Sequence, residues 1–320
     1  MKPVLNVQGL RIGFYLDDEL AVAVDGISFF VNRAETVCIV GESGCGKTVT
    51  SLSIMRLIPP NGRIISGRII FQDIDILNLS ETQMQEIRGK EISMIFQEPL
   101  TSLNPVFTIG DQIAEVIHTH EDLPTEEVEK RCVGLLRLVG MPFPEKRLHD
   151  YPHQLSGGQR QRVMIAIALA CNPKLVIADE PTTALDVTVQ AQILGLFKEL
   201  QRRYHISLLY ITHDLSVVAH IADRVYVMYA GNIVEEGNVY QIFYEPRHPY
   251  TKGLLDSLPR RGKREKRLKS IPGMVPDLAN RPSGCPFHPR CQLAQKICRE
   301  TAPEIKDYGD GHRVRCHIME

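Results

Sequence analysis

An apolar run at residues 37–40 empties into Gly41-Glu42-Ser43-Gly44-Cys45-Gly46-Lys47-Thr48, and a helical stretch opens at Val49. Glycines at these positions let backbone N–H groups curl around phosphate oxygens. The following helix N-terminus adds positive potential, Lys47 reaches the β- and γ-phosphates, and Thr48 offers its hydroxyl to Mg2+. A strand before the loop and a helix after it are the context that separates a phosphate loop from a Gly-rich turn. The pattern predicts an α/β chain whose P-loop binds phosphate groups.

Three more short apolar runs end on residues suited to the same chemistry. Residues 92–96 run into Gln97, 175–178 into Asp179-Glu180, and 207–211 into Thr212-His213. Helical stretches alternate with these runs, which predicts a parallel sheet whose ligands gather at the carboxyl ends of the strands. Four strand ends then aim at one edge. Asp179 is placed to hold Mg2+ through water, and Glu180 to orient or deprotonate the attacking water. Adjacent acids alone are usually a solvated strand end; a phosphate loop upstream changes that reading. His213, by itself an ordinary core histidine, is placed to hydrogen-bond the γ-phosphate.

Leu155-Ser156-Gly157-Gly158-Gln159 opens a further helix, 160–171, that is apolar nearly all round. Ser156 can cap it and the glycines let an anion approach its bare N–H groups. A second phosphate site in one chain calls for a second nucleotide or a second subunit. Between Gln97 and Leu155, residues 109–119 and 125–139 carry apolar positions at helical spacing, which reads as an inserted helical subdomain over about 98–160. Beyond residue 230, Gly231, Gly237, Pro246, Pro249 and Pro259 punctuate a short extension, 231–259. The basic run 260–269 then reads as a hinge, either a solvated linker or a contact for anionic lipid headgroups.

Composition removes several classes. The 320 residues carry 38 acidic and 37 basic side chains, so nothing suggests the basic face that nucleic acid requires. The N-terminus lacks a signal pattern and the longest nearly apolar stretch, 163–171, is far short of a membrane span. A cytosolic, reducing setting is expected, in which eight cysteines are thiols or metal ligands rather than disulfides. Cys38, Cys45, Cys132 and Cys171 are scattered and read as small buried hydrophobes. Cys285, Cys291, Cys298 and Cys316 are crowded, with gaps of five, six and seventeen residues. Those gaps match neither the close pairs of zinc knuckles nor the tighter run of bacterial ferredoxins, so spacing chooses no metal.

With these motifs in place, residues 4–260 resemble the nucleotide-binding subunit of ABC transporters. The resemblance implies a head-to-tail dimer in which Ser156, Gly157, Gly158 and Gln159 close over ATP held by the opposite subunit. It makes Gln97 the loop glutamine that senses Mg2+ and water beside the membrane partner. It makes Asp186, in Ala184-Leu185-Asp186, the residue coupling the two sites. Phe14 lies where the family stacks an aromatic on adenine, and neighbouring Tyr15 is the alternative. Gln97-Glu98-Pro99-Leu100-Thr101-Ser102-Leu103-Asn104-Pro105 and His248-Pro249-Tyr250-Thr251 are similar to the oligopeptide and dipeptide importer ATPases, a group that includes nickel importers.

That likeness implies a peripheral protein on the cytoplasmic face of the cell membrane. Its partners would be integral membrane permease subunits, a second ABC ATPase (a related chain or itself) and, indirectly, an extracellular solute-binding protein. Cys285-Pro286-Phe287-His288-Pro289-Arg290-Cys291 resembles the C-terminal region of the same ATPases, where four such cysteines imply a 4Fe-4S cluster. Zn2+, with His288, His312 or His317 as substitute ligands, and unliganded thiols are the alternatives. The expected division is an ATP-binding domain, 1–259, and a Cys-rich module, 260–320. A soluble ABC ATPase acting on ribosomes or DNA usually carries two cassettes or a long coiled-coil insertion, and neither is visible. A catalytically silent subunit conflicts with intact Glu180, His213 and LSGGQ.

Overall fold

Long strands rich in Val, Ile and Phe begin the chain. In the computed structural model, which describes residues 2–16, 19–98, 102–183, 185–258, 270–277 and 281–318, β1 (Leu5–Leu16) and β2 (Glu19–Val31) pair antiparallel from Leu5↔Val31 to Leu16↔Glu19. The basic run 260–269, together with Pro259, Pro99, Leu100, Thr101 and Ala184 of the motifs above, lies outside the described residues. The chain divides into two compact units. Met1–Val4, Asn32–Glu35 and Asn78–Tyr210 form one; Leu5–Val31, Thr36–Leu77 and Ile211–Glu320 form the other.

The second unit holds two groups of strands. β4 (Gly62–Phe71) and β5 (Ile74–Asp75) join the first pair in the order β2-β1-β4-β5, antiparallel throughout. This sheet is not foreseen by a parallel α/β reading. Register shifts between Val7 and Leu10 and between Leu10 and Ile12 interrupt the alternation of side chains, so the period-two signal is broken where the strands are longest. The other group runs β11 (Ile305–Asp307), β12 (Arg313–Arg315), β10 (Asn232–Asn238), β9 (Arg224–Tyr229) and β3 (Thr36–Val40). β3 and β9 are parallel, Val37↔Arg224 to Val40↔Val227, while β10 turns back on β9 and on β12. The segment beyond 230 is thus more regular than its Gly and Pro content suggests, with helices Val239–Tyr244 and Pro249–Asp256.

Glu235, fully buried on β10, ties these helices and the C-terminal strands together. Its Oε1 accepts from Arg247 N–H at 2.7 Å and lies 2.8 Å from His312 Nε2; Oε2 accepts from His248 N–H at 2.9 Å. Burial alone would raise this carboxyl, but the hydrogen bonds it collects hold it below the usual range. His248 caps the helix Pro249–Asp256 by accepting Tyr250 N–H on Nδ1 at 3.1 Å, so this nitrogen carries no proton. Burial pushes its pKa down to about 4, against a partial rise from Glu235.

The sign of the pH effect follows. Above about pH 6.5 both folded and unfolded chains hold His248 neutral; between there and pH 4 only the unfolded chain takes up the proton. Stability should fall by up to roughly 3 kcal/mol as pH drops through that window and then level off. His248→Asn keeps a capping acceptor and removes the titration. Its melting temperature should lose this component of the pH dependence, and an unchanged slope would acquit His248.

In the first unit, β6 (Ile92–Ile95) and β7 (Leu175–Asp179) are parallel, Ile92↔Leu175 to Ile95↔Ala178, with β8 (Ser207–Thr212) on the other side of β7. Every residue of β7 is buried, as expected for a strand covered on both faces. The helices foreseen at 109–119 and 125–139 are observed as Ile109–His120 and Thr125–Leu138. The first begins at a capping box, Thr108 with Asp111, and buries Ile109, Ile113 and Ile117 at helical spacing.

Candidate active site

Within the second unit, buried β3 ends at Val40 and the backbone turns at Gly41, where an added Cβ would meet Met228 O at 2.1 Å. No other residue fits so close to a neighbouring strand. Gly44 and Gly46 have φ of 79° and 99°, so the loop curls through conformations that favour glycine. The helix Lys47–Ile54 follows with Gly46 as its N-cap, no side-chain cap and no acidic residue in the first turn. That N-terminus leaves its donors and dipole for an anion. Ser43, Gly44 and Thr48 are exposed, and Val49 is half-buried. Lys47 is 5% exposed, and its Nζ donates to Gly41 O at 2.9 Å and Glu42 O at 3.0 Å. Cys45 is buried, which pushes its thiol pKa up and makes it packing rather than nucleophile.

Phe14 and Tyr15 differ in surroundings. A Cβ on Gly62 would lie 2.6 Å from Phe14 Cε1, so that ring rests on the Gly62 backbone. Tyr15 is 43% exposed, accepts from Arg63 Nη1 at 3.0 Å and carries the Arg63 guanidinium 5.7 Å from its ring centroid. His213 is exposed directly after β8.

Within the first unit, β7 delivers Asp179, 2% exposed, followed by Glu180 in a left-handed conformation at φ 46°. A non-glycine residue at positive φ is costly in isolation and recurs at functional sites. Glu180 Oε2 accepts from Gln97 Nε2 at 3.3 Å and from Thr183 Oγ1 at 3.1 Å. Two residues distant in sequence, each at the end of its own strand, are therefore brought together. Thr183 was not foreseen; its position three residues after Glu180 is the only signal for it. The buried Asp179 carboxylate is a hard oxygen donor of the kind Mg2+ takes.

Ser156 caps the helix Gly157–Ala168 as expected, accepting Gln159 N–H at 3.3 Å. Gln159 also returns a bond, its Oε1 accepting Ser156 N–H at 3.0 Å, which completes a capping box that the Ser-x-x-Gln spacing encodes. A Cβ at Gly158 would meet Val189 Cγ1 at 2.7 Å. Asp186 caps the helix Val187–Tyr204 by accepting from Thr188 N–H and Val189 N–H, both at 3.0 Å. The signature segment and the residue expected to couple sites are thus each fixed by a helix cap.

Cys285, Cys298 and Cys316 are buried and Cys291 is half-buried, all without disulfides. Burial pushes the Cys285 thiol up to about 11, and Cys316, Cys298 and Cys291 add to the rise. Cys285 N–H donates to Cys298 O at 2.8 Å. Among the described residues no three or more His, Cys, Asp or Glu side chains gather into a group able to hold a metal ion. The arrangement does not close a ligand shell for 4Fe-4S or Zn2+. The histidines weighed as substitutes are engaged elsewhere: His288 Nδ1 with Cys285 O, His312 Nε2 with Glu235 and His317 Nε2 with Thr301 O.

Known proteins resemble this chain along its whole length. Residues 24–183 match the ABC transporter family and residues 234–298 match the oligopeptide/dipeptide transporter C-terminal region. The oligopeptide transport ATP-binding protein OppD of Bacillus subtilis (strain 168) is 54% identical over 99% of this chain and 89% of its own length. The dipeptide transport ATP-binding protein DppD of the same strain is 50% identical, covering 100% and 96%. Among solved structures, the ATP-binding cassette MJ0796, a dimer in a post-hydrolysis state bound to ADP and Pi, aligns over 73% of this chain and 98% of that one, with TM-score 0.66 and 27% identity. CbiO1 from Clostridium perfringens, part of the ABC transporter complex cbiONQ, has TM-score 0.66 and 28% identity, covering 77% and 93%. With a phosphate loop, a strand-end carboxylate pair and a capped signature helix on one chain, these likenesses agree: the chain belongs to the ABC transporter family, among its ATP-binding subunits.

Proposed function

We propose that this chain hydrolyses ATP to energise import of di- and oligopeptides through an ABC transporter. The match of residues 234–298 to the oligopeptide/dipeptide transporter C-terminal region carries the choice of cargo, and the peptide names of the relatives support it. In this reading Gly41, Glu42, Ser43, Gly44, Cys45, Gly46, Lys47, Thr48 and Val49 hold the triphosphate, and Phe14 or Tyr15 stacks on adenine. Thr48, Gln97 and Asp179 hold Mg2+, which neutralises charge on the phosphates. Glu180 takes the proton of the attacking water while Gln97 orients it, and His213 bonds the γ-phosphate. Ser156, Gly157, Gly158, Gln159 and Asp186 reach the ATP of a second ABC ATPase, so hydrolysis reopens a closed head-to-tail pair.

Residues about 98–160 form the inserted helical subdomain of an ATP-binding domain 1–259, which is followed by the Cys-rich module 260–320. Among the described residues no helix is long and apolar enough to cross a membrane. In this reading the chain attaches to integral membrane permease subunits at the cytoplasmic face, and an extracellular solute-binding protein delivers cargo. The four C-terminal thiols are kept as a proposed 4Fe-4S or Zn2+ site only on the resemblance of residues 285–291 to the C-terminal region of peptide importers; iron, sulfide and zinc analysis of anaerobically purified protein decides between these and free thiols. No step above depends on it.

The cargo is tested in vesicles carrying the permease, this chain and its partner ATPase, with the binding protein outside. ATP hydrolysis should rise on addition of di- or oligopeptides and not on addition of Ni2+. Stimulation by Ni2+ alone would replace the peptide reading with a nickel importer.

A further inference from the structure

One ion pair joins the second residue of the phosphate loop to the C-terminal region. Arg290, 7% exposed, grips the Glu42 carboxylate with both arms of its guanidinium: Nη1 meets Oε2, and Nη2 donates to Oε1 at 3.0 Å. Such a fork fixes direction as well as charge. The guanidinium is itself anchored, Nε donating to Pro272 O at 2.8 Å and Nη1 to Tyr229 Oη at 3.4 Å. Glu42 is held a second time through its backbone, whose N–H donates to Tyr250 Oη at 2.9 Å and whose carbonyl accepts from Lys47 Nζ at 3.0 Å. The rings of Tyr229, Tyr250 and Phe287 pack on one another, with centroids 4.7, 5.1 and 5.4 Å apart, and wall in the pair.

A carboxylate within a loop that receives a polyanion opposes the ligand unless it is neutralised. Nothing in the requirements of a phosphate loop calls for Glu at this position; a remote Arg that cancels it does explain its tolerance. Arg also suits the role better than Lys, because only its planar fork satisfies both carboxylate oxygens while leaving Nε for Pro272. We propose that Arg290 is a positioning residue for the phosphate loop: by chelating Glu42 it neutralises that carboxylate and fixes the start of the loop, so the C-terminal region sets ATP affinity. This rests on the assignment of residues 41–48 to ATP.

The test compares the full-length chain with Arg290→Met, Arg290→Lys and the double variant Glu42→Gln/Arg290→Met, by ATP affinity and by steady-state kinetics. Arg290→Met should raise the ATP Kd and KM on the order of tenfold, within the usual span of coupling between sites, with kcat at saturating ATP little changed. The double variant, which removes the orphaned carboxylate, should recover most of the affinity, and Arg290→Lys should fall between. A purely structural staple would instead lower the melting temperature of Arg290→Met and the double variant alike, with no recovery of affinity in the latter. An ATP Kd for Arg290→Met within about twofold of wild type, where tenfold is expected, overturns the inference, as does absence of recovery. If Arg290→Met does not fold, Arg290→Lys decides: a raised Kd supports the role and an unchanged one ends it. Lys47→Ala is measured alongside. If it too binds ATP normally, the phosphate-loop assignment has failed; if it alone loses ATP, only the role of Arg290 has.

Discussion

Glu180→Gln is expected to leave ATP bound and to cut hydrolysis on the order of 10²- to 10⁴-fold, the usual worth of a positioned general base. The amide is nearly isosteric and its oxygen can still accept from Gln97 and Thr183, whose donors lie 3.3 and 3.1 Å from Glu180 Oε2. What it cannot do is take a proton from water. The loss should therefore appear in kcat while the ATP Kd stays within a few-fold of wild type, the split expected of a group acting in the transition state. The left-handed backbone of Glu180, φ 46°, is unaffected by the exchange. Steady-state phosphate release and equilibrium ATP binding on the same preparation measure both quantities, and unimpaired hydrolysis would strike Glu180 from the catalytic role.

Lys47→Ala should act on the other quantity. Lys47 is almost fully buried, and its ammonium is held to the loop by the carbonyls of Gly41 and Glu42. On nucleotide binding it exchanges such neutral acceptors for charged phosphate oxygens, and charge-assisted hydrogen bonds are worth about 1.5–3 kcal/mol each. Deleting the ammonium should raise the ATP Kd roughly 10- to 100-fold. Gly41 and its bond to Lys47 are buried, so the carbonyl left behind should cost some stability as well, and melting is measured beside affinity. ATP titration and thermal unfolding of the variant separate the two effects; an unchanged Kd would count against residues 41–48 as the nucleotide site.

The parts of the fold that were legible in the sequence are those whose signals are local. β3, β6, β7 and β8 are continuous apolar runs, and the residues at their ends follow from their boundaries. Ser156 and the glycines of the phosphate loop were legible for the same reason: a cap and a positive φ are demands made within a few residues. The antiparallel sheet was not, because bulges in β1 break its alternation and its partners are up to 66 residues away, Leu5 pairing with Phe71. β9 was also missed, although it pairs with β3; its run of Val, Tyr and Met carries no chemistry at its end to draw notice.

The carboxylate pairings show the same division. Glu180 could be named from its strand, but its contact with Gln97 is fixed by the side-by-side register of β6 and β7. Arg290 stands 248 residues from Glu42, and no spacing rule connects them. In the Cys-rich segment the limit was of another kind. Four thiols are crowded in the sequence, yet their spacing selects no metal, and among the described residues no three or more His, Cys, Asp or Glu side chains form a group able to hold one.

The most direct test of ATP-driven import is uptake of a labelled peptide into the vesicles described above, with wild-type chain or Glu180→Gln on the ATP-supplied face. Uptake should require ATP and the wild-type chain, and should fall with Glu180→Gln in proportion to phosphate release. Peptide uptake that persists at the wild-type rate with Glu180→Gln, while hydrolysis has stopped, would contradict it.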